Sequence, residues 1–349
     1  MAQINKPNLH FNTKLYTGTG ADGNAQTGVG FQPDFTWIKE RSGGTRDHSL
    51  FDAVRGATKR LESNTTNAES TEGNSLQSFN TDGFTVGSTS AVNRDTNPFV
   101  AWNWKAGTTG SGTTTGSGTG KAYSYSVNTT AGFSIIKFIG NGTAGHTIPH
   151  HLGAKADFVI IKGLASGRQW SVGSSGLGWT KELFLDSTNG ENTSASPWYD
   201  TAPSSTVVTL GTGSNGNTND ETYIMYAFAT KAGYSKFESY APNGSANGNF
   251  IYLGFSPAFF LVKNSNTTRN WLIFDNKRNT SNEITKSLEP NTSDAEQTDS
   301  NLKVDFLSNG VKLRGLGGDL NTGDGVKYIY MAFAKNPIVG TNGIPTTAR

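Results

Sequence analysis

Three of the five histidines form the clearest cluster of residues that could perform chemistry. His146, His150 and His151 lie close together, and Asp157 follows them. Imidazole and carboxylate groups are zinc ligands, but zinc needs ligands that converge, and neighbouring side chains on a strand point to opposite faces. We therefore favour a structural role for these histidines and predict no metal site.

Carboxylates could cleave a glycosidic bond, because two of them on either side of the bond supply the acid and the base or nucleophile. Here the acidic residues instead occur singly, at Glu182, Asp186, Asp200 and Glu221. A serine nucleophile would be marked by a Gly-x-Ser-x-Gly turn, which the sequence lacks, and the chain has no cysteine. We predict a protein that is not an enzyme and that carries no cofactor.

Two loops rich in Asn and Asp, residues 215–220 and 319–324, contain oxygen atoms that suit calcium. Tight turns use the same residue types, because Asn and Asp tolerate positive φ values and bond to the local backbone. We favour the turn interpretation, and calcium binding stays open at this point.

The net charge of +2 gives no electrostatic support for nucleic-acid binding or for a membrane surface. The sequence contains no apolar run of the roughly 20 residues that a spanning helix needs, and its start does not resemble a signal peptide. We expect a chain that is made in the cytoplasm of the cell that produces it, without nucleic-acid binding and without membrane insertion.

The elements that must position all these residues follow a threefold internal repeat. Residues 30–39, 153–162 and 254–263 each lead from a glycine to a lysine, with an apolar run before the lysine. The lysine follows the glycine of an upstream turn by 19, 20 and 19 residues in the three copies. A turn followed by a strand explains this pattern, and its near-constant spacing indicates three copies of one unit.

Each repeat closes on an aromatic segment, at residues 99–105, 223–229 and 328–334. Alternate residues of a strand share a face, so Trp102 and Trp104 are expected to face the same side. We predict that each closing strand is central to its sheet, and that the Asp-Gly and Asn-Gly pairs after residues 81 and 308 turn hairpins.

The sequence predicts an all-β fold of three tandem β-sandwich domains of jelly-roll type. The Gly-, Thr- and Ser-rich stretch between the first two repeats is typical of a flexible linker. The predicted segments are an N-terminal arm with a possible docking role (1–14), repeat one (15–107), a linker (108–131), repeat two (132–233), repeat three (234–337) and a C-terminal tail (338–349).

The repeats resemble a domain of structural proteins from marine tailed phages, particularly cyanophage-like ones. The matching segments are 11–18, 30–39, 55–56, 79–84 and 101–107, with a shorter variant at 254–259 followed by Trp271. The resemblance implies a β-rich virion surface protein, often part of a tail fibre, and brings no catalytic residues with it. One departure is that the chain shows no heptads and no separate attachment domain before repeat one.

We therefore expect a tail fibre or receptor-binding component on the virion surface, with other virion proteins as partners. It would bind a bacterial surface glycan or protein and form a homotrimer. The alternatives are a head or tail decoration protein with a structural role, and a glycan-cleaving tail spike.

The loops that differ between the repeats are the candidate contact surface, whereas the constant segments are expected to be scaffold. His48 aligns with Trp170 and Trp271, which favours packing over catalysis at that position. The candidate contact residues are Arg46, His48, Trp179, Trp198, Tyr199 and Arg269.

Overall fold

The computed structural model describes residues 3–165, 167–323 and 325–338. Apart from a short 3-10 helix at Pro7–Leu9 and two single-turn α-helices, the regular structure of these residues is antiparallel β-sheet. The all-β prediction is confirmed.

Repeat one folds as two sheets that face each other. An inner sheet has the order β1-β9-β3-β4 and an outer sheet has the order β2-β8-β7, while β5 pairs with β6. These labels denote β1 (Phe11–Thr17), β2 (Asn24–Thr27), β3 (Phe35–Glu40), β4 (Ser49–Asp52), β5 (Lys59–Arg60), β6 (Ser70–Thr71), β7 (Leu76–Asn80), β8 (Gly83–Val86), α1 (Ser90–Asn93) and β9 (Pro98–Trp104).

Repeat two has the same plan with a wider inner sheet. The inner sheet has the order β10-β12-β13-β20-β15-β16-β17-β18, and the outer sheet has the order β11-β14-β19. Its elements are β10 (Thr108–Thr113), β11 (Thr115–Gly116), β12 (Ala122–Asn128), β13 (Phe133–Ile139), β14 (His146–Pro149), β15 (Phe158–Gly163), β16 (Ser171–Ser174), β17 (Lys181–Phe184), β18 (Asn192–Thr193), α2 (Ala195–Trp198), β19 (Val207–Leu210) and β20 (Thr222–Phe228).

Repeat three returns to the arrangement of repeat one. Its inner sheet has the order β21-β29-β23-β24, its outer sheet has the order β22-β28-β27, and β25 pairs with β26. Its strands are β21 (Ser235–Tyr240), β22 (Phe250–Tyr252), β23 (Phe255–Asn264), β24 (Trp271–Asp275), β25 (Lys286–Ser287), β26 (Gln297–Thr298), β27 (Val304–Phe306), β28 (Gly310–Leu313) and β29 (Tyr328–Pro337).

The closing strands β9, β20 and β29 each pair with a strand on both sides, as predicted. They are buried on both faces, because one face packs under the outer sheet and the other faces the middle of the molecule. A strand with two buried faces requires a nearly continuous apolar run. This burial explains the aromatic closing segments.

The middle of the molecule is one hydrophobic core to which all three repeats contribute. Phe11 of repeat one stacks on Phe333 of repeat three at 5.2 Å between ring centroids. Phe35 of repeat one stacks on Tyr226 of repeat two at 4.5 Å. Further members include Trp102, Trp104, Phe133, Phe158, Phe228, Phe237 and Phe259.

Each repeat also has a smaller core between its own two sheets. The prediction of β-sandwich units therefore holds within each repeat, but three tandem domains are not confirmed, because the largest core is shared. Alternation along each inner strand divides its side chains between the two cores. In β9, Trp102 faces the shared core and Ala101 faces the core of its own repeat.

The flexible linker predicted over residues 108–131 is wrong. This segment forms β10 and β12, which extend the inner sheet of repeat two, and β11, which joins the outer sheet. Gly110 and Gly112 of β10 pair with Tyr125 and Tyr123 of β12. A side chain on either glycine would collide with the tyrosine ring of its partner. The tyrosine rings of β12 therefore cover β10 at the two positions where it has no side chain.

Residues 3–14 are not a free arm. Ile4 belongs to the shared core, and β1 begins at Phe11, four residues before the predicted start of repeat one. In the predicted C-terminal tail, residues 339–349 lie outside the described residues.

Candidate functional site

The three repeat lysines fasten each repeat to the next. The Lys39 ammonium donates to the carbonyl of Ser293 at 3.0 Å, from repeat one to repeat three. Lys162 donates to the carbonyl of Thr66 in repeat one at 2.9 Å. Lys263 closes the cycle by donating to the carbonyl of Thr188 in repeat two at 3.2 Å, and all three lysines are fully buried.

Burial lowers the pKa of Lys39, Lys162 and Lys263 to about 8. An ammonium group in such a place needs hydrogen-bond acceptors, and the carbonyls of the neighbouring repeat supply them. The lysines are therefore scaffold groups, as the sequence predicts.

His48, Trp170 and Trp271 occupy equivalent positions and repeat the same cycle of contacts. The His48 Nε2 atom lies 3.0 Å from the carbonyl oxygen of Glu289 in repeat three. The indole N–H groups of Trp170 and Trp271 donate to carbonyl oxygens of repeats one and two, each at 2.9 Å. The alignment of His48 with the two tryptophans is confirmed, and the role of all three is to join repeats.

Half of the candidate contact residues are buried, so the prediction is wrong for them. His48 and Trp198 are fully buried, and Trp179 is only 8% exposed and packs edge-on against Trp198. Trp179 and Trp198 both lie over Gly173, where any side chain would collide with their rings. Large aromatic rings stabilise a sheet protein more when they are buried in its core than when they are exposed in a loop.

The other candidate contact residues are accessible. Tyr199 is 49% exposed and follows α2 in a left-handed backbone conformation. Arg269 is exposed and its guanidinium lies against the backbone of Gly318, while Arg46 is half-buried. These three residues belong to repeats two, three and one, respectively.

The histidine cluster does not converge. His146 is buried between Asn217 and Thr114, with ring nitrogens 2.9 Å and 2.7 Å from their side-chain oxygens. The ring of His150 contacts the carbonyl oxygen of Ser204, and burial lowers the pKa of His150 to about 4. His151 stacks on a tyrosine ring instead. Within the described residues, no three His, Cys, Asp or Glu side chains form a group that could hold a metal ion.

Three of the four single carboxylates have structural partners of their own. Glu182 is buried and accepts hydrogen bonds from Ser171 and Asn192. Asp186 accepts from the backbone N–H of Trp170, and Glu221 forms an ion pair with an arginine. Asp200 lies in a turn with positive φ.

The Asn-rich loops are tied by three equivalent buried asparagines. Asn217 accepts from the backbone N–H of Asn141 and donates to the carbonyls of Thr143 and Gly211. Its counterparts are Asn93 in repeat one and Asn321 in repeat three, which make the same kinds of bonds. The turn interpretation therefore accounts for Asn217 and Asn321, while Asp324 of the second loop lies outside the described residues.

Two open clefts lie at the boundaries between repeats. The first has a cavity volume of about 350 Å³ between β1 of repeat one and the inner sheet of repeat three. The second has a volume of about 400 Å³ between β21 of repeat three and the inner sheet of repeat two. In both clefts the first strand of a repeat forms one wall, because this strand is the edge of its inner sheet.

Sequence reasoning missed both clefts. The first is lined by residues 8, 11–13, 258, 276, 277 and 334–336, which are far apart in the chain. No local pattern links them, and the shared core brings them together. The repeat alignment was the available signal, because it places residues 276 and 277 in a stretch that differs between copies.

The fold and its clefts define a class of protein: an all-β chain whose three repeats lock around one aromatic core and leave open clefts between repeats. A family model described as a domain of unknown function (DUF7483) matches residues 6–337. The chain therefore belongs to the DUF7483 family. No curated protein matches it. Among the described residues, no helix is long and apolar enough to cross a membrane.

Proposed function

We propose that this chain is a surface structural protein of a phage virion and acts as a tail fibre or receptor-binding component that contacts the bacterial host. The observation that carries the proposal is the interlocking of the three repeats. Buried lysines, aromatic rings and one shared core hold them as a single body. A body of this kind presents loops and clefts in fixed positions, which lowers the entropic cost of binding a receptor.

The resemblance of the repeats to structural proteins of marine tailed phages supports the virion location. Exposed positions such as Tyr199 and Arg269 offer the aromatic and cationic groups that are common in binding surfaces. The virion proteins around the chain and a bacterial surface glycan or protein are its proposed partners.

We also propose that the chain binds without catalysis. Glu182, Asp186 and Glu221 each have their own structural partners, which supports this view. Incubation of the purified protein with host polysaccharide tests it. New reducing ends would replace the proposal by a glycan-cleaving spike.

Gold-labelled antibodies against the chain, applied to intact virions, test the location. Label at the host-facing tip of the tail, together with blocked adsorption by the purified protein, is the expected result. Label on the head, or on the tail tube without an effect on adsorption, would instead identify a decoration protein.

The oligomeric state remains part of the proposal. We predict a homotrimer. The alternative is one chain on the threefold axis of the tail, because the three repeats of a single chain already contact one another in cyclic order. The mass of the purified protein by light scattering distinguishes one chain from three.

A further inference from the structure

The cleft between repeats one and three carries polar groups that the fold itself does not use. The side chains of Asn8, Asn276 and Asn336 make no hydrogen bond to any described residue. Within the same part of the chain, the side chains of Lys277 and Lys335 make neither a hydrogen bond nor an ion pair. A second cavity of about 170 Å³ adjoins the cleft and shares Asn276 and Lys335 with it.

These groups suit an anionic, hydroxyl-rich ligand. An amide both donates and accepts, so it can bind sugar hydroxyls, whereas an ammonium group binds a carboxylate as a point charge. No Asp or Glu lines either cavity along the described chain. Phe11, Ala258 and Ala334 form the apolar part of the lining, and all three are buried.

Thr13 gives independent support. It is only 6% exposed, it lines the cleft, and its hydroxyl oxygen has no hydrogen-bond partner among the described residues. The equivalent positions are Ile135 in repeat two and Phe237 in repeat three, since all three pair with the same position of the closing strand. A buried hydroxyl without a partner destabilises the fold. A ligand that reaches this hydroxyl would supply the missing hydrogen-bond partner.

The cleft between repeats two and three lies at the equivalent place in the fold but differs in its charged groups. The backbone N–H groups of Ser175 and Asn276 make equivalent bonds, so the two clefts correspond. In the second cleft Lys155 lies 3.5 Å from Asp157, and Glu238 also lines the wall. Its one lysine is thus neutralised.

The remaining boundary, between repeats one and two, is closed differently. Ala53 and Val54 stand where repeat three has Asn276 and Lys277, as the backbone bond of Ala53 to Asp34 shows. Strand β12 also covers the outer edge of β13 there. The free cationic and amide groups are therefore particular to the cleft of Thr13.

We propose that the cleft between repeats one and three binds a carboxylated saccharide, with Lys277 and Lys335 as the cationic groups and the Thr13 hydroxyl and nearby amides as hydrogen-bonding groups. The inference deepens the proposed function, because it names the class of receptor that a host-binding component would recognise.

Calorimetric titration of the full chain with trigalacturonate tests the proposal, with neutral maltotriose and the acidic peptide triaspartate as comparison probes. We expect saturable binding of trigalacturonate only, weakened by added salt. The absence of binding at millimolar concentration, or equal binding of triaspartate, would overturn the carboxylated-saccharide assignment.

Variants then locate the site. Changing Lys277→Gln together with Lys335→Gln should raise the Kd about tenfold or more, because two charge-assisted bonds are lost. The matched change Lys155→Gln in the second cleft should leave the Kd unchanged. Thr13→Val keeps the side-chain shape and should raise the Kd about threefold to tenfold without lowering the melting temperature. Equal Kd values for wild type and the double variant, or an equal loss in Lys155→Gln, would refute this location.

The virion labelling separates the two proposals. Label at the tail tip without trigalacturonate binding would remove only the saccharide inference, whereas binding by a chain located on the head would remove only the proposed role in attachment.

Discussion

Raising the pH from about 7.5 to about 9.5 is expected to stabilise the folded chain, because its three inter-repeat lysines are buried. Burial lowers the pKa of Lys39, Lys162 and Lys263 from 10.5 to about 8. Below pH 8 both the folded and the unfolded chain hold these protons, and the folded chain bears the cost of the buried charge. Between pH 8 and 10.5 the unfolded chain holds more protons, so the free energy of unfolding rises with pH.

The size of the effect follows from the two pKa values. A gap of about 2.5 pH units corresponds to about 3 kcal/mol for each fully protonated lysine. From about pH 7.5 to about 9.5, each lysine releases about 2 kcal/mol of that cost, so three independent lysines contribute about 5 kcal/mol. The measurement stops below pH 10, because burial raises the pKa of Tyr16, Tyr226 and other buried tyrosines, whose titration in the unfolded chain acts in the opposite direction.

Urea unfolding followed by tryptophan fluorescence measures this profile at each pH. The variant Lys162→Met removes one buried charge, so its rise should be about one third smaller than that of the wild type. Lys155→Met, at an exposed lysine of the same repeat, should keep the wild-type slope. A flat wild-type profile, or an unchanged slope in Lys162→Met, would refute the account of the lysines as buried, charged fasteners.

Three further predictions concern the scaffold. Asp275→Asn should lower the free energy of unfolding by about 3–5 kcal/mol in urea, because it removes the closer of the two ion pairs of the buried Arg278 and leaves only the longer one to Glu296. Glu283→Gln at a surface pair should cost less than about 1 kcal/mol. His48→Ala should lower the free energy of unfolding by about 2–4 kcal/mol, because the ring joins Trp37 to repeat three. Adsorption to host cells by the folded fraction should not change. An adsorption defect at full stability would contradict this structural role. Asn217→Ala should lower the melting temperature, because it removes the hydrogen bonds of a buried amide. Added calcium should leave the melting temperature of the wild type unchanged, since the Asn217 oxygen already accepts hydrogen bonds. A rise in melting temperature with calcium would support an ion site in this loop.

Local patterns in the sequence by themselves determined the all-β class, the threefold repeat, the central closing strands and the two hairpins. The predicted Asp-Gly and Asn-Gly turns are wrong by one residue, because the loops are residues 81–82 and 308–309 and Gly83 and Gly310 already begin β8 and β28. The strands and hairpins follow from alternation and turn residues among near neighbours, whereas the repeat follows from the recurrence of the same spacing along the chain. The alignment of His48 with Trp170 and Trp271 also came from spacing alone, and the structure confirms it.

The tertiary structure alone decided how the repeats combine. The lysine of repeat one reaches a carbonyl 254 residues away, and no local pattern encodes such a contact. The same holds for the Gly-rich stretch that becomes strand, because Tyr123 and Tyr125 of the partner strand cover its glycines. An aromatic side chain can lie in the core or on the surface, and only the packing of the folded chain shows that Trp198 lies in the core. In the same way, only the tertiary structure shows that Thr13 lines a cleft.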